Sequence, residues 1–418
     1  MGNREVIVIG GGAAGMMAAL FSAKEGARVT LLERNEKLGK KVYITGKGRC
    51  NVTNAADMTQ VMRCVLRNPR FMYAAFAKLD NQGVMALLES LGVPLKTERG
   101  ERVFPASDKA SDIIQALQRE LCRLGVDIRL NTRVQSLTLA DGRCSGVTLE
   151  SGDTIAAEAV IIATGGMSYP TTGSTGDGYA LAASVGHGIK PALPALTPIE
   201  TVERWPEALM GLSLKNVRLS AFVKNGKKEK RLYSEMGEML FTHFGISGPL
   251  VLTLSSLLPE DLSGVRLSID LKPALDEATL DARLLRDFKS MSRKQLISVM
   301  DGLEPHSLAE QLLKLADISP ATPVNGVTAQ QRRHILELIK NLPLTPKRLR
   351  DFNEAIITRG GVEVREINPS TMASRRVKGL YFAGEVLDVN ATTGGYNLQI
   401  AWSTGALAGS SAARGEDG

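Results

Sequence analysis

The stretch from Val6 to Glu33 leaves this chain few choices of fold. Val6-Ile7-Val8-Ile9 is a run of four β-branched residues, the composition of a strand buried on both faces of a parallel sheet. Gly10, Gly12 and Gly15 follow as GxGxxG. Gly10 permits the tight turn, Gly12 lets backbone approach a pyrophosphate, and Gly15 lets the next helix pack closely on the strand. That helix runs from Ala13 to about Lys24, and its free N–H groups and positive dipole end suit a phosphate. Gly26 stops it, a second strand follows over Arg28-Val29-Thr30-Leu31-Leu32, and Glu33 ends that strand. An acidic side chain some 20 residues beyond the glycines accepts hydrogen bonds from an adenosine ribose. The apolar run from Val6 to Ala23 is long enough to span a bilayer. Glycines cluster in its middle, however, and no basic leader or cleavage site frames it, so the dinucleotide reading prevails.

The 418 residues predict two or three domains, and 44% hydrophobic content supports a sizeable core. Cys50, Cys64, Cys122 and Cys144 are scattered without CxxC spacing, which points away from a zinc site or redox dithiol and toward a reduced, cytoplasmic setting. The four histidines do not cluster, so no structural metal is expected. No stretch reads as a membrane span. The formal charge of +7 suits anionic substrates. The densest basic run, Lys224 to Arg231, reads as a solvated hairpin turning at Asn225-Gly226. No aromatic residue interleaves with it, so no nucleic-acid partner is expected.

Past Glu33 and Arg34 comes a loop dense in donors, Lys37 to Asn54, with Lys40, Lys41, Gly48 and Arg49 beside the expected dinucleotide. Its TGKGRCNVTN segment resembles the bacterial family of NAD(P)/FAD-dependent oxidoreductases that takes in aminoacetone oxidase and the bile-acid-inducible flavoprotein. The same resemblance recurs at Ala159 to Gly166, at Phe241-Thr242-His243-Phe244-Gly245-Ile246-Ser247-Gly248-Pro249, at Ala383-Gly384-Glu385, and in Gly394-Gly395-Tyr396-Asn397-Leu398-Gln399.

That resemblance implies an α/β fold: a Rossmann-like two-dinucleotide-binding FAD domain interrupted by an inserted β-plus-α domain. The FAD domain is expected over 1–190 and 355–418, with a β-rich insert over 191–270, where Pro191, Pro194 and Pro198 punctuate a linker, and a helical insert over 271–354. It implies FAD contacts at Gly10, Gly12, Ala13, Ala14, Gly15, Glu33, Arg34, Lys40, Lys41, Gly48 and Arg49. Further contacts are implied at Val134 near the adenine, Thr164 and Gly165 after the second buried strand, and Gly384 and Glu385 at the ribityl chain. Gly395, Asn397 and Leu398 open a last helix whose dipole would favour negative charge on reduced flavin. The glycine loop from Ser168 to Gly178, entering a helix over Tyr179 to Val185 near Asp177, is expected to line the same site.

The cofactor would carry the redox chemistry. Only one dinucleotide fingerprint is present, so NADH or NADPH is expected as a transient electron donor. The first expectation is an NAD(P)H-dependent reductase of a conjugated C=C bond, such as a 3-oxo bile-acid or steroid enone. The second is an aminoacetone-type amine oxidase using O2, and the third a flavin-dependent RNA-modifying or FAD-binding protein. His243, Tyr169 and Arg49 are the candidate reacting residues: His243 as a proton donor or a structural histidine, Arg49 equally a phosphate ligand, Tyr169 equally a packing residue. Cys50 is expected to be a buried structural thiol.

Overall fold

The computed structural model describes residues 4–226 and 228–415 and divides into two compact units, 1–195 with 352–418, and 196–351.

Unit 1 is organised by a five-stranded, all-parallel sheet. Its strands are β1 (Glu5–Ile9), β2 (Arg28–Leu32), β3 (Asp127–Arg129), β4 (Ala159–Ile162) and β5 (Leu380–Phe382), ordered β5-β4-β1-β2-β3. Ile7 lies between Val160 and Thr30, and Ile161 between Val8 and Tyr381. Val6, Ile7, Val8 and the whole of β4 are buried, as central parallel strands with helices on both faces require. The chain winds outward from β1 to β2 and β3, then crosses to β4 on the other side. The ends of β1 and β4 therefore flank the point where strand order reverses, the place where open α/β sheets bind ligands. Helix α1 (Ala13–Lys24) is buried almost throughout and packs against α3 (Tyr396–Arg414), the last helix. Gly405 and Gly409 make that contact possible: a Cβ on either would lie 2.4 and 2.2 Å from carbonyl oxygens of α1. Between β4 and the later return, α2 (Asp177–Ser184) begins two residues earlier than expected, at Asp177 itself.

Unit 2 holds a seven-stranded sheet in which Leu342–Leu344, Val265–Asp270, Ser213–Asn225, Lys228–Thr242, Gly245–Ser247, Ile199–Thr201 and Pro346–Leu349 are neighbours in that order, all antiparallel. Helices Pro249–Ser255, Glu277–Ser290, Leu296–Met300, His306–Leu315 and Ala329–Lys340 accompany it. The expected β-rich and helical inserts are one body: Leu219, Leu267 and Ile269 of the sheet share a single hydrophobic core with Leu284, Leu312 and Ile335 of the helices. The stretch after Lys340, expected as helix, forms edge strands, because Pro343 and Pro346 cannot continue one. The basic run from Lys224 to Arg231, expected as a hairpin, belongs to one long hairpin, Ser213–Asn225 with Lys228–Thr242. Lys227 lies outside the described residues.

Candidate cofactor site

The glycines at the end of β1 divide the work between packing and access. Gly10 has φ +103°, and a Cβ there would sit 2.6 Å from the Ala163 carbonyl oxygen. A Cβ on Gly15 would come within 1.7 Å of the Gly10 oxygen, so α1 rests directly on the turn. Gly12 differs: nothing lies within 4 Å of where its Cβ would be. It is the N-cap of α1 and offers no side-chain cap, leaving the first N–H groups of the helix open.

That opening leads into a cleft with about 1320 Å³ of atom-free space, part of it open to solvent. The cleft is lined by Gly10, Gly12, Ala13, Ala14, Glu33, Arg34, Lys40, Lys41, Val134, Thr164, Gly165, Glu385, Asn397 and Leu398 among the expected positions. These come from seven separate stretches of unit 1: most follow strands of the parallel sheet, Lys40 and Lys41 stand on the short helix Lys40–Ile44, Val134 opens the strand Val134–Ala140, and Asn397 and Leu398 start α3. Glu33 is 7% exposed, and its carboxylate braces the turn: Oε2 accepts from the Gly11 N–H at 2.7 Å and Oε1 from the Asn35 N–H at 2.8 Å. A carboxylate has lone pairs for further donors, so ribose hydroxyls remain within its capacity.

The cations of the cleft are paired across it. Arg34 and Arg133 both donate to Asp177 Oδ2 at 3.0 Å, and Lys41 Nζ lies 2.6 Å from Glu385 Oε2. Burial alone would push the Asp177 carboxyl up. Bonds from Arg133 and Thr175, with the charges of Arg34 and Arg133, outweigh that and hold it below the usual range. Glu385 Oε1 accepts from the Thr358 N–H at 2.8 Å, and Thr358 Oγ1 accepts from the N–H groups of Met167 and Ser168 at 2.8 and 3.0 Å. One pair of side chains thus joins the glycine loop after β4 to the returning chain.

Several expected positions also have architectural roles. Gly15 is a packing residue. Gly384 faces Ala14, with its N–H donating to Thr404 Oγ1 at 2.9 Å, and a Cβ on Gly395 would lie 2.3 Å from the Thr53 oxygen. Asn397, though it lines the cleft, ties down the loop before α3: it accepts from the Ala391 N–H at 2.8 Å and donates to the Ala391 and Thr392 carbonyls at 2.9 and 3.1 Å. Gly48 is exposed and outside the lining.

Neither Arg49 nor Tyr169 lines the cleft, and His243 belongs to unit 2. Arg49 is absent from the cleft lining: Nε donates to Asp108 at 2.7 Å, Nη1 and Nη2 reach Glu98, and the guanidinium lies 4.1 Å over the Phe104 ring. Its donors are spent on the carboxylates of Asp108 and Glu98. Tyr169, half-buried with φ +53°, holds a turn through its N–H to the Phe352 oxygen at 2.8 Å and also lies outside the lining; burial and the charge of Glu354 push its phenol up. His243, in unit 2, is exposed and set edge-on to Phe244, with ring centroids 4.9 Å apart. Cys50 is fully buried, and burial pushes its thiol up to about 12, so it is no thiolate at neutral pH. Ser174 lines the cleft from the glycine loop expected there, whereas the sequence reading missed Asn35 and Arg133 as lining residues. Only Arg133 carried a signal, as the arginine of the NTRV segment.

The empty cradle at Gly12 and the open amide groups of α1 fit a dinucleotide pyrophosphate. Thr164 Oγ1, buried in the lining without a hydrogen-bond partner among the described residues, is a further group awaiting one. Among the described residues, no helix is long and apolar enough to cross a membrane.

A family model described as the HI0933-like protein Rossmann domain matches residues 4–411. The chain is similar to the 3-dehydro-bile acid delta(4,6)-reductase of Clostridium scindens, 33% identical over 412 residues, covering 97% of this chain and 98% of that one. It is similar also to the ribosomal RNA dihydrouridine synthase of Escherichia coli, 31% identical with 96% of each chain covered. Among solved structures, Mycobacterium smegmatis Sdh1 in complex with UQ1 superposes with a TM-score of 0.51 at 19% identity, over 99% of this chain and 69% of that one. The last likeness concerns the fold alone.

Proposed function

This chain belongs to the HI0933-like Rossmann family and is an FAD-dependent oxidoreductase, and we propose that it saturates a C=C bond conjugated to a carbonyl group. The observation that carries this reading is what two relatives, matched over nearly their whole length, have in common by name. One reduces a bile-acid enone; the other yields dihydrouridine, which is uridine saturated at the bond conjugated to its ring carbonyl. When bound, FAD supplies the hydride, and NADH or NADPH is the proposed source of electrons. The residues of unit 1 do the holding. Gly12 and the α1 amides take the pyrophosphate, Glu33 the ribose, and the start of α3 sets a positive dipole end beside the cleft. For the proton that completes saturation we propose His243, an exposed histidine set edge-on to Phe244. A 3-oxo steroid enone is the proposed first acceptor.

The test is anaerobic mixing of the FAD-loaded protein with NADH or NADPH, followed by a 3-oxo-Δ4 steroid acid. Bleaching near 450 nm and then recolouring with formation of the saturated product is expected. Bleaching by an amine, with peroxide formed in air and no response to either nicotinamide, would replace the reductase with an oxidase. In the His243→Ala chain, bleaching should be unchanged and recolouring slowed by about 10²-fold or more. Equal recolouring would remove His243 from the reaction.

A further inference from the structure

We infer that Phe244 and Arg350 are positioning residues for His243, a ring and a stacked guanidinium that hold the imidazole of the proposed proton donor in one place. His243 and Phe244 form the tip of a tight hairpin, in which Thr242 of the strand Lys228–Thr242 stands opposite Gly245 of the strand Gly245–Ser247. The backbone of this tip is fastened to the strand Ile199–Thr201. The Thr201 N–H donates to the Phe244 oxygen at 3.1 Å, and a Cβ on Gly245 would lie 2.5 Å from the Ile199 oxygen. A fixed backbone does not fix side chains, and exposed ones change rotamer freely. The Phe244 ring has a contact of its own: the Arg350 guanidinium lies 4.7 Å over it. That guanidinium is aimed in turn by Glu200, 7% exposed, whose Oε1 accepts from Arg350 Nη1 at 2.5 Å. The His243 ring then meets Phe244 edge-on, with centroids 4.9 Å and planes 77° apart.

Two comparisons within unit 2 separate this arrangement from ordinary packing. Phe241, in the strand before the turn, is the core residue: it is fully buried, and its ring lies 5.5 Å from that of Trp205. Phe244 is half-buried and stands outside the hydrophobic core that Phe241 shares, so its ring is not there to fill the interior. Arg348 already satisfies Glu200 with two bonds, from Nε at 2.7 Å and Nη2 at 2.8 Å. A second arginine is not needed to neutralise that carboxylate; what Arg350 adds is a flat cation over Phe244. Glu200, Arg350, Phe244 and His243 thus form a run from a buried carboxylate to an exposed imidazole, each group oriented by the one before it. A general acid works only within hydrogen-bond reach of the atom that it protonates, and an imidazole free to turn at a hairpin tip spends most of its time elsewhere. The sequence hid this, because Arg350 and Phe244 are far apart in the chain and meet only through the pairing of their strands with the one that carries Glu200.

This inference rests on the reading of His243 as the proton donor, and two readouts separate the one from the other. The first needs no turnover. In FAD-loaded protein with isotope-labelled histidine, the His243 ring resonance is identified by its loss in His243→Ala. It should carry a ring-current shift from Phe244, lose it in Phe244→Leu and in Arg350→Gln, and keep it in Arg348→Gln. The second follows recolouring of the photoreduced protein by the 3-oxo-Δ4 steroid acid. Phe244→Leu and Arg350→Gln should each slow it about tenfold at saturating acceptor, with the half-saturating concentration within about twofold of wild type. Phe244→Tyr should restore the rate, and Arg348→Gln should match wild type. Placed on His243→Ala, Arg350→Gln should slow recolouring no further, because it acts through the imidazole. Flavin content and urea melts report folding in each case. An unmoved resonance in Arg350→Gln, equal slowing by Arg348→Gln, or further slowing on His243→Ala would overturn the positioning role while leaving His243 as donor. Equal recolouring by His243→Ala would remove the donor, and the positioning role with it, even where the resonances move as expected.

Discussion

Two glycine motifs, one in each unit, look alike in sequence and behave oppositely in space. In unit 1, Gly10 and Gly15 are pressed against backbone, while Gly12 between them faces open space. In unit 2, the Gly245-Ile246-Ser247-Gly248-Pro249 stretch has no such gap. A Cβ on Gly245 would meet the Ile199 oxygen at 2.5 Å, and one on Gly248 would meet Met239 Cα at 2.9 Å. Their φ values, +151° and +94°, turn the short strand Gly245–Ser247 into the helix Pro249–Ser255. A glycine surrounded by the protein's own backbone marks packing. A glycine in front of a void at a helix N-terminus marks a ligand.

The largest effects should separate those roles within unit 1. Gly15→Val puts side-chain atoms where the Gly10 carbonyl already is, and backbone cannot yield as a side chain does. A loss above about 5 kcal/mol is expected, comparable to a whole domain's stability, seen as failure to accumulate soluble protein. Gly12→Ala should fold with an unchanged melting temperature in the absence of cofactor, because its methyl meets nothing. It should bind FAD at least ~10-fold more weakly, read by fluorescence titration, a difference of about 1.4 kcal/mol. Wild-type affinity in Gly12→Ala would place the pyrophosphate elsewhere.

Gly248→Ala carries the comparison into unit 2. A strained left-handed backbone plus the contact at Met239 should cost about 2–3 kcal/mol in urea melts. FAD affinity should not change. If it does, the motif shared with the family touches the cofactor's environment after all, and glycine crowding is no guide to function.

Much of unit 1 was legible because its constraints are local. The turn after β1, the helix on it and the acid after β2 lie within thirty residues, and each is dictated by backbone sterics. Glu33 was found, but its bond to the Gly11 N–H was not, since nothing in spacing says that an acid will brace its own glycine turn. The Asp177 pairs with Arg34 and Arg133 join residues 143 and 44 apart in sequence, which only the fold brings together. In unit 2 the long hairpin was under-read. Asn216, at φ +58°, and the register shifts at Leu214/Val217 and Ala221/Phe222 interrupt the two-residue alternation by which strands are recognised.

Acid should distinguish the units by a smaller margin. Burial pushes the His187 imidazole of unit 1 down, against the pull of Glu366 Oε2 at 3.1 Å. The fold thus holds it neutral, while the unfolded chain takes a proton near 6.5. Stability is lost as pH falls below that value, by at most about 1.4 kcal/mol per pH unit. In unit 2 the Glu200 carboxyl is held down to about 2 by Arg348, with Arg350 adding to it against burial. Its contribution is intact above the ordinary value of 4.5 and disappears only as pH falls toward about 2. Trp402 is in unit 1 and Trp205 in unit 2. Urea melts of W205F and W402F chains at pH 7.5 and 5.5 should therefore show loss in the first and little change in the second. His187→Phe should remove that loss. Equal loss in both would mean that the units melt as one.

The smallest effect is expected at Arg49, where the comparison is easiest to break. The residue lies in the donor-rich TGKGRCN segment, one position from buried Cys50, where the sequence reading offered it as a reacting residue or equally a phosphate ligand. In the structure its guanidinium is shared by Glu98 and Asp108, a third of its side chain is exposed, and a second cation, Lys96, serves the same carboxylates. Exposed networks of this kind contribute little, and removing one cation leaves Lys96 to pair with Asp108 at 2.7 Å. Arg49→Ala should accordingly keep a full complement of FAD, with affinity within about twofold and an unchanged visible spectrum. A tenfold loss of affinity, with melting of the cofactor-free protein unaltered, would show that the guanidinium leaves its carboxylates for the cofactor once FAD is bound. The donor-rich loop would then belong with Gly12, among the parts of unit 1 built around a ligand, rather than with Gly15 and Gly248.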